Sequence, residues 1–259
     1  MNCAHTPKMN RQAGFSLIEL MLSIIVLVIV MAAVFKQIDS VQKNSKVESL
    51  KLDLAQESRG FIDQFARDVH MSGYPKILQF QRQAGGAAPQ PTDATVASGI
   101  VAASPTSIRF EGSVNGDSTV YSVLYSYFAV DPTGQDPNCP CIRRSITPKV
   151  QGGNQVTVQP ADPNGQLAPV FYTEVQNIVP PTAGQPIFTY YQANVNPATG
   201  DNIVNVGAGV DITTAAGAAT LQTIDAIKVT LNTKSRQADP QSRGKQVINA
   251  IVGIAELED

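Results

Sequence analysis

One carboxylate stands inside an apolar run. Residues 15–35 read FSLIELMLSIIVLVIVMAAVF, 21 residues in which Glu19 carries the only charge. An acid near the centre of a membrane-spanning helix costs about 2.5 kcal/mol or more, and an ionisable group kept there calls for a partner. Glu19 lies four residues from Phe15, close to the end of the run, where the cost is smaller. Gly14 precedes Phe15, so a cut between them creates a new α-amino group one helical turn from Glu19. The chemistry on offer is ionic pairing of a carboxylate with an amine.

Other residue sets offer less. His5 and His70 are the only histidines, too few for a multi-histidine metal site and poor ground for histidine-dependent catalysis. Cys139-Pro140-Cys141 either closes a small disulfide ring or stays reduced, and both readings remain open. A lone C-x-C is a weak metal signal. Asp131, Asp136 and Asn138 supply oxygen ligands without EF-hand spacing, so turn chemistry explains them. Arg67, Asp68 and His70 are expected as solvated groups or as helix-to-sheet contacts. No catalytic residue, metal or cofactor is expected, and the chain reads as no enzyme.

The elements that must position these residues separate cleanly. No proline lies between Pro7 and Pro75, whereas sixteen of the seventeen lie at or beyond Pro75. The front of the chain is therefore helical and the remainder turn-rich. At about 1.5 Å per residue the apolar run spans roughly 31 Å, the hydrocarbon thickness of a bilayer. A buried core helix would rarely be apolar all round. An ordinary secretory signal has a shorter apolar region, although Val30-Met31-Ala32 offers a weak cleavage site, and a permanent anchor is the third plain reading. Lys8 and Arg11 precede the run and Lys36, Lys43 and Lys46 follow it, so flanking charge does not decide orientation.

Beyond the run, Leu50, Leu54, Phe61, Phe65 and Val69 share one helix face, and that face should pack on the rest of the chain. Gly73 followed by Pro75 is the expected stop. Segments 107–111, 119–130, 142–146, 155–159, 170–179, 187–192, 223–231 and 246–254 have β-branched and aromatic residues at strand length. Small-residue tracts at 84–98 and 206–220 look like loops. An α+β fold follows, with a long N-terminal helix whose apolar stripe is buried by one antiparallel sheet. With 43% hydrophobic residues and a net charge of −2, the chain is neither disordered nor suited to nucleic acid.

The stretch Gly14-Phe15-Ser16-Leu17-Ile18-Glu19-Leu20 resembles the processing site of type IV prepilins and type II secretion pseudopilins. Residues 56–74, QESRGFIDQFARDVHMSGY, resemble the helix end of PilW-type minor pilins and in part that of J-type pseudopilins. The resemblance implies four segments: a leader 1–14 removed by prepilin peptidase, a transmembrane and filament-core helix 15–35, its amphipathic continuation 36–73, and a β-rich periplasmic head 74–259. It implies cleavage after Gly14, N-methylation of Phe15 and subunit assembly through Glu19. The implied partners are the peptidase, other minor and major pilins and the inner-membrane assembly platform. The implied location is the inner membrane, then the pilus filament or its tip. Major pilins commonly carry a proline 21 residues after the mature start, where this chain has Lys36. That departure points to a minor pilin, or to a pseudopilin of a secretion or DNA-uptake system. The contrasting expectation is a membrane-anchored β-rich binding module or enzyme.

Overall fold

The computed structural model describes residues 16–76, 92–130, 139–152, 171–181, 185–192, 202–238 and 246–257. The chain divides into two compact units, Met1–Glu48 and Ser49–Asp259. Helix α1 (Leu17–His70) supplies the described part of the first unit and opens the second.

In the first unit the helix has no described neighbour, and its side chains from Leu17 to Val41 are exposed. The β-branched run Ile24-Ile25-Val26 and Val28-Ile29-Val30 is no strong helix former in water. In an apolar medium, however, every backbone N–H and C=O must be satisfied within the segment, and a helix does that. Lys43 and Asp39 form an exposed i,i+4 ion pair at 2.6 Å.

In the second unit the same helix turns amphipathic. Leu54, Ser58, Phe61, Phe65, Asp68 and Val69 are buried at spacings of three and four. The described strands of this unit are β1 (Gly99–Ala103), β2 (Ser107–Gly112), β3 (Tyr121–Phe128), β4 (Cys141–Pro148), β5 (Phe171–Val175), β6 (Phe188–Tyr191), β7 (Ile203–Val204), β8 (Val210–Asp211), β9 (Ala226–Ala238) and β10 (Gln246–Glu256). A short helix, α2 (Ala215–Leu221), precedes β9.

Among the described residues the strands form two antiparallel sheets, ordered β5-β4-β3-β2-β1-β8 and β10-β9-β6-β7. Phe65 serves both, its ring 5.2 Å from that of Tyr125 on β3 and 5.7 Å from that of Phe188 on β6. Ile108, Phe110, Ile142, Val175, Ile227 and Leu231 complete the core around it. Burying side chains of this kind stabilises by about 1.5–3 kcal/mol each.

The helix ends where two glycines allow close approach. Gly73 adopts φ 79°, the left-handed cap conformation, and its N–H donates to the Glu111 carbonyl at 2.8 Å. A Cβ at Gly112 would stand 2.1 Å from the Met71 carbonyl oxygen, so only glycine lets β2 meet the helix end there.

The α+β class with antiparallel strands stands, but three local expectations do not. The helix stripe is covered by two sheets rather than one, because β6, β9 and β10 pair with one another and with none of β1–β5. The 206–220 tract is no loop. It holds β8 and α2, whose Thr214 side chain accepts from the Gly217 N–H at 3.0 Å and caps the helix. The segment expected to run to residue 179 stops at Val175, since Asn177 takes φ 53° and Ile178 crosses to bridge Thr233 on β9. β1 and β7 were not foreseen at all. The strand expected at 155–159 lies outside the described residues.

Candidate functional site

The first turn of α1 carries Glu19, whose N–H donates to the Ser16 carbonyl at 2.9 Å. Its own carbonyl accepts from the Ser23 hydroxyl at 2.8 Å. A carboxylate in the first turn complements the positive end of the helix dipole. Gly14 and Phe15 lie outside the described residues.

An 18-residue window of this helix has a mean hydropathy of 3.0 and none of it is buried within the structure. Leu17 is 79% and Phe35 64% exposed. Leaving such side chains in water forgoes about 1.5–3 kcal/mol apiece, so this surface is suited to a bilayer or to other apolar helices. By length and composition it can cross a membrane. The site is thus a lone acid at the start of an apolar cylinder.

Asp68, expected as solvated or as a helix-to-sheet contact, is the second of these. It is 2% exposed and ties α1 to the larger sheet. The Tyr125 hydroxyl donates to its Oδ2 at 2.6 Å, Arg144 Nε and Nη2 at 2.8 and 2.7 Å, and Gln64 Nε2 to Oδ1 at 2.7 Å. Burial, with the Asp68 charge adding to it, raises the Tyr125 phenol far above its ordinary range, so it stays a donor. Burial also raises the neighbouring Glu174 carboxyl, opposed by Arg144 and reinforced by Asp68. Arg67 and His70 are exposed.

Sequence reasoning missed a second buried ion pair. Lys149 Nζ lies 2.7 Å from Glu111 Oε2, with both side chains at most 1% exposed. Lys149 also donates to the Val96 carbonyl at 2.8 Å, and the Ser98 N–H donates to Glu111 Oε2 at 3.0 Å. A strand reading SIRFEG suggests one wet face, yet β2 is buried from Ile108 to Gly112. No local signal in the sequence marks that second cover.

Cys139 and Cys141 are joined by a disulfide at the start of β4. Asp131, Asp136 and Asn138 lie outside the described residues. Among the described residues no group of three or more His, Cys, Asp and Glu side chains could hold a metal ion. A cavity of about 180 Å³ beside α2 is lined by Ile100, Ile212, Leu221, Ile224, Ser98 and Gln222 among others, with no titratable side chain. These arrangements hold a fold together, whereas the Glu19 end of α1 presents a carboxylate and an apolar surface outward.

No curated protein and no solved structure matches the chain. Residues 9–35 match the family model described as the prokaryotic N-terminal methylation motif. That motif, a type IV prepilin-like signal leading into an exposed apolar helix, supports a pilin- or pseudopilin-type protein.

Proposed function

We propose that the chain is a minor pilin of the PilW type, which takes part in initiating a type IV pilus or in its tip complex. Prepilin peptidase cuts after Gly14, removing the leader with Lys8 and Arg11, and Phe15 becomes the N-methylated first residue. Seventeen basic and 21 acidic residues remain, a formal side-chain charge of −4, ill suited to DNA capture. The helix then waits in the inner membrane with the head in the periplasm. The chain catalyses no reaction.

The observation that carries this reading is the placement of Glu19 in the first turn of α1, at the start of its exposed apolar segment and inside the matched motif. In the membrane the acid is costly as an anion. During assembly it meets the freed amine of another subunit within the packed helices. At 4 Å and an effective dielectric near 20 such a pair is worth about 4 kcal/mol before desolvation. Its value lies mainly in register, because a misplaced subunit leaves a buried charge unpaired at a cost of about 3–5 kcal/mol.

Lys36, where major pilins commonly have proline, favours a minor subunit over a bulk one. The part of the 56–74 stretch shared with J-type pseudopilins supports the second reading, a pseudopilin of a secretion or DNA-uptake system. Mass spectrometry of the mature N-terminus tests both: the expected result is N-methylated Phe15. An intact Met1, or a cut near Ala32, refutes prepilin processing. Protease treatment of spheroplasts tests the placement of the head, which should be digested from outside.

A further inference from the structure

β10 is the outer strand of its sheet, hydrogen-bonded to β9 over its length and unpaired on its other edge among the described residues. Gly253 and Ala255 face the core: Ala255 is buried, and a Cβ on Gly253 would clash with the Ile62 side chain of α1. Its even-numbered residues face outward, and Ile248, Ala250, Val252 and Ile254 form an apolar row there, with Ile248 66% and Val252 52% exposed. Exposed sheet edges are normally protected by a charge, a proline or a short strand. β10 has 11 residues, no proline, and no charge before Glu256. The opposite edge strand of this sheet, β7, has only two residues.

On the same outward face the cross-strand neighbours are basic at both ends of the row. Lys234 stands opposite Ile248 and Lys228 opposite Ile254, with Arg236 beyond. An extended segment laid along β10 would bury the apolar row and bring carboxylates within reach of these cations. A second copy of this chain fits poorly through the same edge, because its β10 carries no carboxylate before Glu256 to meet these cations. We propose that β10 docks an extended, carboxylate-bearing segment of a different pilin-type subunit. The partner's class rests on the function proposed above.

The test uses the full chain in cells that assemble the filament. Photocrosslinking residues replace Val252 or Ile254, with Tyr172 on β5, also exposed, as the control. The expected result is an adduct from the two β10 positions, absent from Tyr172, to a different subunit that bears its own N-terminal methylation motif. Lys228→Glu with Lys234→Glu should weaken that adduct by about tenfold, the effect of losing about 1.4 kcal/mol of charge attraction. No adduct, an equal adduct from Tyr172, an adduct of twice the chain's mass, or capture of a protein lacking the motif overturns the proposal. The N-terminal mass spectrum of the same sample separates the two readings. Methylated Phe15 without an adduct refutes the edge contact alone; an uncut N-terminus with an adduct supports the contact and refutes the prepilin reading.

Discussion

Asp68→Ala is the sharpest test of how the helix is held to the head. The carboxylate accepts from Tyr125, Arg144 and Gln64 at 2.6–2.8 Å while 2% exposed. Truncation leaves the Arg144 guanidinium and the Tyr125 hydroxyl facing a void. Breaking a buried pair in this way costs about 3–5 kcal/mol, most of it the penalty on the stranded partner. Denaturant unfolding of the full chain in detergent micelles, followed by near-ultraviolet dichroism of the tyrosines, measures the loss. Replacing Arg144 by Met in the same background should restore part of it, because the stranded charge is then gone. A loss below about 1 kcal/mol for Asp68→Ala, or no recovery in the double variant, refutes the latch.

Lys149→Met strands Glu111, whose Oε1 already lacks a hydrogen-bond partner among the described residues, and should cost about 3–5 kcal/mol in the same unfolding assay. Gly112→Ala drives a methyl into the Met71 carbonyl and should cost about 1–3 kcal/mol, with a lowered melting temperature as the readout. Glu174 has a raised pKa, so in the folded state it binds its proton more tightly than in the unfolded chain, and its ionised form opposes folding as pH rises. Glu174→Gln should therefore be at least as stable as the native chain at neutral pH. The native chain should gain on it as pH falls through the raised folded pKa towards the ordinary glutamate range.

Much of this was legible in the residues. The Leu54, Phe61, Phe65 and Val69 stripe announces a buried helix face because apolar side chains at helical spacing have no other use in an exposed rod. Gly73 announces the cap, and the strands β2, β3, β4, β6 and β10 follow from β-branched and aromatic runs between turns. Polar members of the same faces were not legible. Ser58 and Asp68 lie on the stripe, but the partners that Asp68 meets there, Tyr125 and Arg144, stand more than fifty residues away. Lys149 and Glu111 are likewise paired only by the fold. The tract around AAGAATL lacked hydrophobic periodicity, and its helix rests on the Thr214 cap and on contacts to β8 and β1. Division into two sheets depends on which strands meet across the chain, which no local pattern encodes. At the other end, the methylation motif around Glu19 was readable because its residues are contiguous in sequence.

The central claim, that Glu19 is kept for a neighbour's terminal amine, is tested most directly by filament incorporation of a Glu19→Leu chain expressed beside the native one. Leucine removes the charge and suits the membrane better, so the variant should insert and be cut after Gly14 as the native chain is. It should then enter sheared filaments at least about tenfold less, the consequence of leaving the partner amine unpaired. Equal amounts of native and variant chain in the filaments contradict the account.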